Sequence, residues 1–176
     1  MTPWFPVALK LAGRRCLVIG AGEEADGRAR ALTEHGAEVV RSTTFEPALL
    51  DGVWLAVLAT RDVELARTMD RECEARRLFF VAVDEPSVGS FAHLALARAG
   101  NVTAAIGTNG EAPALARRLR EILADLFARA NLADFAARHA ELRSATPPAE
   151  RRDVLGADVR DVRIDGELVL PRRSQR

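Results

Sequence analysis

The chain has 176 residues, enough for one full hydrophobic core or for one domain with an appendage. Its 48% hydrophobic and 28% charged residues are typical of an ordinary soluble globular protein. The formal net charge is zero, which argues against nucleic acid or a membrane surface as a partner.

No signal peptide or membrane-spanning run is evident, because Arg14 and Arg15 interrupt the early apolar stretch. Cys16 lies in a strand pattern and Cys73 in a helix pattern. Two such thiols are typical of reduced core residues rather than of a disulfide framework. We therefore expect a cytoplasmic protein.

The N-terminal residues 1–14 carry several apolar side chains ahead of a turn at Gly13, and we expect an arm packed on the domain. An apolar strand pattern over residues 15–20 then runs into a helical pattern that continues to about residue 35. The junction reads Gly20-Ala21-Gly22-Glu23-Glu24-Ala25, which is Gly-x-Gly-x-x-Ala in the strand–helix setting of a dinucleotide-binding loop.

In such a loop Gly20 allows the sharp turn, Gly22 lets the backbone approach a pyrophosphate, and Ala25 keeps the helix close to the sheet. The free N–H groups of the helix N-terminus attract the anion. The alternative is a tight strand–helix turn that binds no ligand.

The second strand pattern covers residues 38–41, and the chain after it reads Arg41-Ser42-Thr43-Thr44. An acidic residue normally binds the adenosine ribose of NAD at this place, and none is present. Arginine with neighbouring hydroxyls (Arg41, Ser42 and Thr43) fits a 2′-phosphate, so NADP is the alternative to NAD. Arg41 as a solvated edge residue is the other interpretation.

Residues 45–52 read as a connector with at most one helical turn, and the apolar run 53–59 predicts a strand buried on both faces. Thr60, Arg61 and Asp62 end this strand and should line the cofactor crevice, and the alternative for Asp62 is that it only caps the next helix, which runs to about residue 76. A fourth strand over 78–83 ends at Asp84. The strand–helix alternation predicts an α/β class with a parallel, Rossmann-like sheet, and residues 1–86 as the NAD(P)-binding domain.

The pattern changes after Pro86. Residues 89–98 and 101–108 predict two strands, 111–130 a long amphipathic helix and 131–143 a second helix, which together make a region 87–143. Residues 144–176 read as a linker and a short tail, in which Asp165-Gly166 between apolar flanks indicates a small hairpin.

These landmarks taken together resemble the precorrin-2 dehydrogenase family, which includes the N-terminal module of siroheme synthase. The resemblance covers about residues 4–143 and depends on the order and spacing of six motifs. They are Phe5-Pro6-Val7, the Gly20–Ala25 loop, residues 54–62, residues 81–86, Gly89-Ser90-Phe91 and residues 107–120.

The resemblance implies oxidation of precorrin-2 to sirohydrochlorin with NAD⁺ in sirohaem or cobalamin synthesis. Some members of the family also insert Fe²⁺, so Fe²⁺ or Co²⁺ is an alternative substrate. The resemblance further implies a homodimer, with region 87–143 as the dimerisation and substrate region.

Asp84 is the expected catalytic residue, because a matching aspartate is implicated in both activities of the family. Hydride removal from a macrocycle carbon leaves a cation that must lose a proton, and metal insertion must strip protons from ring nitrogens. One carboxylate could act as general base in both. The competing interpretation is that Asp84, ahead of Glu85-Pro86, only caps a turn.

Substrate contacts are expected around the start of the long helix, since precorrin-2 is a polycarboxylate. Arg117 and Arg120 could pair with its side arms, although arginines on a helix more often form a solvated face. The expected substrate-binding set is Ser90, Thr108, Asn109, Gly110, Arg117 and Arg120.

A protein metal site is not expected. His93 attracts interest because the family includes chelatases, but a single histidine without a second ligand is poor evidence for a metal. His35 and His139 fall in helix patterns and read as surface residues.

The chain departs from the family pattern after the second strand. Roughly twenty residues, about one αβ unit, are absent between Thr44 and the connector. The missing strand would be the edge strand of the sheet, so its loss leaves the nucleotide crevice intact and exposes the second strand as the new edge. The helical region is shorter as well, and the alternative function is therefore a non-catalytic nucleotide- or tetrapyrrole-binding module.

Overall fold

A computed structural model describes residues 4–170 of the chain. The described residues form two compact units. The first contains the chain up to Leu94 together with Gly107–Pro113, and the second contains Ala95–Ile106 and the chain from Ala114 onward. The strands are β1 (Arg15–Ile19), β2 (Glu38–Ser42), β3 (Leu55–Leu58), β4 (Phe79–Ala82), β5 (Ala95–Ala99) and β6 (Val102–Ile106). The helices are α1 (Gly22–Glu34), α2 (Val63–Ala75), α3 (Pro113–Arg129), α4 (Leu132–Ala145) and α5 (Arg151–Asp158).

The first unit is built on a four-stranded parallel sheet in the order β2-β1-β3-β4, which confirms the predicted α/β class. β2 is an edge strand, as expected for a sheet that lacks one αβ unit. Only a single 3-10 turn, Pro47–Leu50, stands between β2 and β3. Because all four strands run in the same direction, their carboxyl ends meet at one edge, where ligands bind in open α/β sheets.

The core has two layers because successive strand residues point to opposite faces of the sheet. On one face, Cys16 and Val18 of β1 and Val57 of β3 pack against Ala25 and Ala29 of α1. On the other, Leu17, Ile19, Leu58, Met69 and Phe80 form the cluster that includes α2. β1 and β3 are therefore buried on both faces, which explains their continuous apolar sequences.

The two cysteines are buried and unpaired, as the sequence predicts. Burial raises the pKa of the Cys16 thiol. Burial, with the nearby Asp70 carboxylate, raises the pKa of Cys73 to about 12. Both groups therefore behave as small apolar core residues.

The second unit contains the antiparallel pair β5–β6 and the helices α3 to α5. The predicted strand at 89–98 begins only at Ala95. Residues 89–91 instead follow the edge of β4: Ser90 N–H donates to the Phe80 carbonyl at 2.8 Å, and Gly89 N–H donates to Asp70 Oδ1 at 2.8 Å. These bonds join residues 89 and 90 to β4 and α2 of the first unit.

The terminal segments differ from the prediction. Residues 4–10 have no strand, and Phe5 is 87% exposed, so this part of the arm is not packed on the domain. The region 144–176, expected to be a linker and a short tail, contains α5, and residues 162–169 carry no strand, so the hairpin prediction was wrong. An isolated two-stranded hairpin is marginal in water, and here the apolar side chains Val162, Ile164 and Leu168 are exposed rather than packed on a core.

Within residues 4–170, none of the helices combines the length and the apolar character needed to span a bilayer.

Candidate functional site

The glycine-rich loop lies at the carboxyl end of β1, where α1 begins at Gly22. Gly20 has φ +137°, and a Cβ on it would lie 2.7 Å from the Ala59 carbonyl oxygen, so only glycine fits. Gly22 has φ +79°, and a Cβ there would meet nothing within 4 Å. Gly20 is therefore required by packing, whereas Gly22 faces open space.

The N-terminus of α1 fits an anion. Its N-cap residue, Ala21, makes no side-chain hydrogen bond to the helix, so no N-cap side chain occupies the first backbone N–H groups of α1. Ala25 of α1 is fully buried in the core layer that this helix forms with the sheet, as the fingerprint predicts. Glu23 and Glu24 are exposed in the first turn, and Glu24 pairs with Arg28 at 2.7 Å. The uncapped N–H groups and the buried Ala25 agree with a pyrophosphate cradle at this end of the helix, whereas the two glutamates add negative charge there.

The end of β2 is organised by an ion pair that crosses to α1. Arg41 Nη2 donates to Asp26 Oδ1, and each side chain is about half exposed. Ser42 Oγ donates to the Thr44 carbonyl at 2.6 Å and accepts from Thr44 N–H at 3.2 Å, while Thr43 is exposed. Asp26 carried no signal in the sequence, because the residues of this pair are 15 positions apart and only the sheet brings them together.

The ends of β3 and β4 bring two predicted site residues into contact. Arg61 Nε donates to Asp84 Oδ2 at 3.2 Å. Asp84 has φ +61°, a left-handed conformation that aspartate adopts more readily than most residues. Strained backbone of this kind is concentrated at functional sites. The carboxylate is therefore held at the carboxyl edge of the sheet and remains accessible to solvent.

The residues next to this pair have local structural roles. Asp62 Oδ1 accepts from Leu65 N–H at 2.9 Å and caps α2, as predicted. Thr60 Oγ1 accepts from Asp62 N–H at 3.4 Å. Hydrogen bonds from Ser87 to the Glu85 carboxylate lower the pKa of Glu85. Asp84 rather than Glu85 is thus the carboxylate that contacts a residue from another strand end.

Ser90 lies along the edge of β4 and not at its carboxyl end. Its Oγ accepts the Phe80 N–H at 3.0 Å, in the middle of the strand. The structure therefore does not bring Ser90 to the Arg61–Asp84 pair, and its hydroxyl already binds backbone.

The segment before α3 is a tight turn with an Asn-Gly centre. Asn109 and Gly110 have φ +52° and +81°, and Glu111 N–H donates to the Thr108 carbonyl at 3.0 Å. Thr108 Oγ1 also accepts from Ala112 N–H at 3.2 Å. These three predicted substrate residues belong to the first unit, together with the nucleotide loop.

Arg117 and Arg120 lie in the first two turns of α3, in the second unit. Arg117 is exposed, and Arg120 Nη2 lies 3.3 Å from Glu121 Oε1. Both guanidinium groups are accessible enough to meet a carboxylate ligand.

The histidines occupy three different settings. His35 is exposed, as predicted. His139, also expected at the surface, is partly exposed, and its Nδ1 lies 2.6 Å from Asp158 Oδ2. His93 lies edge-on to Phe91, with ring centroids 5.3 Å apart, and desolvation and the charge of Arg28 lower its pKa to about 4. Across residues 4–170, no three His, Cys, Asp or Glu side chains converge as a metal site would require.

Comparison with known proteins gives a family model, similar sequences and a similar structure. Residues 7–45 match the family model NAD_binding_7, which is described as NAD(P)-binding. The siroheme synthase of Citrobacter koseri is 32% identical over 143 residues, covering 69% of this chain and 31% of that protein. Siroheme synthase 2 of Pectobacterium atrosepticum is 32% identical over 162 residues, covering 80% of this chain and 35% of that protein.

The chain thus spans about a third of the length of the curated relatives it matches. Among solved structures, SirC, a precorrin-2 dehydrogenase, superposes with a TM-score of 0.67 at 20% identity. The match covers 89% of this chain and 90% of that one, so the two share a fold.

Proposed function

The chain belongs to the siroheme synthase and precorrin-2 dehydrogenase family, and from that premise we propose that it oxidises precorrin-2 to sirohydrochlorin with NAD⁺. The observation that carries the proposal is the arrangement of one sheet edge. The glycine loop ends β1, Arg61 follows β3 and Asp84 follows β4, so an anion cradle and a carboxylate lie at the same edge.

The loop residues of this chain would hold the coenzyme. The free N–H groups of α1 bind the pyrophosphate, and the open space at Gly22 lets it approach the backbone. Thr60 and Arg61, at the end of β3, line the crevice beside the loop. When bound, the nicotinamide supplies a hydride acceptor.

Asp84 acts as the general base in this proposal. Oxidation removes two hydrogens from the macrocycle, one as a hydride and one as a proton. Loss of the hydride leaves a cation on a carbon of the macrocycle. The Asp84 carboxylate accepts the proton, and the loss of that proton returns the macrocycle to neutrality. Arg61 fixes the carboxylate at the strand end and is a positioning residue for this step.

The substrate carboxylates would be bound by cations and by backbone N–H groups. Arg117 and Arg120 are accessible guanidinium groups that pair with carboxylates in a bidentate way. The Thr108–Gly110 turn presents backbone and hydroxyl groups near the start of α3. Ser90 is the weakest member of this set, because its hydroxyl binds the β4 backbone.

Insertion of Fe²⁺ or Co²⁺ as a substrate would use the same carboxylate. Asp84 would then take protons from the ring nitrogens as the ion enters the macrocycle. The proposal therefore extends to chelation, which an insertion assay on sirohydrochlorin tests separately from dehydrogenation.

A second copy of this chain is the partner we propose. α3 is 17 residues long, yet only Ala116 is buried, and Leu115 and Ile122 are 47% and 37% exposed. Together with Leu119 and Leu126 they form one apolar stripe at helical spacing. Because such a stripe favours burial, a homodimer through region 87–143 fits this helix.

A non-catalytic nucleotide- or tetrapyrrole-binding module is the second candidate. The observation that favours it is the edge position of β2, which agrees with the αβ unit that the sequence lacks relative to the family pattern. This candidate predicts coenzyme binding without turnover.

Formation of NADH from precorrin-2 distinguishes the two candidates. We expect turnover by the wild-type chain, and a loss of at least ~100-fold for Asp84→Asn, the range attributed to a general base. Asparagine also tolerates the left-handed backbone of Asp84, so the fold and the NAD⁺ affinity should stay unchanged. Asp51→Asn, an exposed carboxylate change in another turn, is the matched control and should retain full activity. NAD⁺ binding without turnover would favour the binding module, and full activity of Asp84→Asn would exclude it as the base.

A further inference from the structure

We propose that Asp26, on α1, supplies the carboxylate that is missing from the end of β2, and that its ion pair with Arg41 makes the adenosine subsite selective for NAD over NADP. This inference rests on the proposed coenzyme site and assigns a specificity-determining residue to it. It also decides against the alternative in which Arg41 and neighbouring hydroxyls receive a 2′-phosphate.

The first step is the position of the pair beside the nucleotide loop. In the β1–β2 register Val18 lies opposite Arg41 and Ile19 opposite Ser42, and Ile19 directly precedes Gly20. Asp26 follows Gly22 by four residues, which is about one helical turn, so both lie on the same face of α1. The pair therefore stands at the point where the loop, β2 and α1 meet.

The second step is the direction of the Arg41 side chain. Val39 packs in the core layer that contains α1, whereas Val40 packs in the opposite layer. The alternation of β2 therefore places Arg41 on the α1 face of the sheet. Its Nη2 donates to Asp26 Oδ1, and the two side chains are 47% and 49% exposed, so a ligand can reach both.

The third step is the charge that a ligand would meet. A 2′-phosphate carries up to two negative charges near neutral pH and would have to compete with Asp26 for the guanidinium. The first turn of α1 adds Glu23 and Glu24 to the local negative charge, although Glu24 is paired with Arg28. A ribose 2′-hydroxyl, by contrast, can donate a hydrogen bond to a carboxylate that Arg41 holds in place.

The fourth step is the state of the hydroxyls next to Arg41. Ser42 Oγ is bound to both the carbonyl and the N–H of Thr44. A phosphate would have to break these local bonds to use this hydroxyl. The β2 end is therefore better arranged for a neutral ribose than for a phosphorylated one.

Isothermal titration of NAD⁺ and NADP⁺ into the full chain tests the inference without depending on turnover. The wild type should bind NAD⁺ more tightly than NADP⁺. Asp26→Asn should shift the ratio of the two dissociation constants at least ~10-fold toward NADP⁺, because it removes one charged hydrogen-bond acceptor and frees Arg41 for the phosphate. Arg41→Gln in the Asp26→Asn background should abolish the gained NADP⁺ affinity, and Glu34→Gln, at the far end of α1, should leave the ratio unchanged.

The outcomes separate this inference from the proposed function. Binding of neither coenzyme to the wild type would overturn both. Binding of NAD⁺ or NADP⁺ with a ratio that Asp26→Asn does not move, or a wild-type preference for NADP⁺, would overturn only the role of Asp26. Thermal melts followed by circular dichroism accompany each titration and show whether the variant is folded. If Asp26→Asn did not fold, Arg41→Gln alone would still have to change the ratio of the NAD⁺ and NADP⁺ dissociation constants, since it removes the group that holds Asp26 in place.

Discussion

Arg61 and Asp84 join the ends of two neighbouring parallel strands: Nε and Nη2 of the arginine each lie 3.2 Å from Oδ2 of the aspartate. The sequence assigns the two residues to different tasks, one to the coenzyme and one to the chemistry, and they are 23 positions apart. Their side chains are 87% and 60% exposed, so solvent screening keeps the contribution of the pair to stability small. The contact is therefore better explained as orientation of the Asp84 carboxylate than as a stabilising bridge.

Replacement of Arg61 tests this orientation. Arg61→Gln should change the free energy of unfolding by less than about 1 kcal/mol, because the pair is exposed. It should lower kcat about tenfold, and Arg61→Lys should restore part of the loss by keeping the charge.

The double variant Arg61→Gln/Asp84→Asn should be no slower than Asp84→Asn alone, since residues that act as a unit are non-additive. Steady-state kinetics and urea unfolding give both quantities. Two losses that multiply would show that Arg61 acts independently of Asp84.

The two loop glycines should fail in different ways when replaced by alanine. In Gly20→Ala the new Cβ would be 2.7 Å from the Ala59 carbonyl oxygen in a buried turn, so we expect a loss of about 2–3 kcal/mol of stability. Gly22→Ala adds a Cβ in open space and should cost only about 1 kcal/mol of backbone strain.

The same Gly22→Ala change should weaken NAD⁺ binding at least ~10-fold, because the methyl group enters the space that the pyrophosphate needs. Thermal unfolding and calorimetric titration measure the two effects. A folded Gly22→Ala variant with wild-type affinity would contradict the pyrophosphate cradle.

His93 should make the chain less stable in mild acid. Its pKa is lowered from 6.5 to about 4, so the unfolded chain takes up the proton at a higher pH than the folded protein does. Stability is therefore greatest, as far as this residue is concerned, above about pH 6.5, and it declines as the pH falls toward about 4. Because His93 is an exposed residue, the loss of unfolding free energy should be well below the loss that the pKa difference implies by itself.

Urea unfolding of wild type and His93→Gln at pH 7 and pH 5 measures this difference. The variant should lose less stability than the wild type between the two pH values. Equal losses in the two proteins would exclude His93 as a contributor to acid sensitivity.

The apolar stripe of α3 should control the oligomeric state. We expect the wild type to sediment as a dimer and Leu115→Glu/Ile122→Glu to sediment as a monomer, because both side chains are exposed on the single chain and charges there oppose burial. Ala128→Glu is the matched control, since residue 128 is exposed on the other side of the helix. A wild type that stays monomeric at high concentration, or a charged variant that stays dimeric, would reject this interface.

The secondary-structure prediction was wrong for two short segments. Asp165-Gly166 between apolar flanks favours a hairpin, yet residues 162–169 form no strand, and their apolar side chains are exposed in the part of the chain that the structure describes. The strand expected from Gly89 starts at Ala95, and Ser90 and Gly89 are bound to β4 and α2 of the first unit. Short apolar segments take their conformation from what lies next to them.

The sequence by itself determined the α/β fold, the succession of strands and helices in the parallel sheet, and the glycine loop. Hydrophobic periodicity and glycine spacing are local properties of the sequence, so they do not depend on tertiary contacts. Only the tertiary structure decided which charged residues meet. Arg41 reaches Asp26 across 15 residues because β2 pairs with β1, which brings the end of β2 beside the helix that follows β1. Arg61 reaches Asp84 across 23 because the paired parallel strands β3 and β4 end at the same edge of the sheet. The coenzyme selectivity proposed for Asp26 and the orientation of the proposed base therefore depend on contacts that no local pattern encodes.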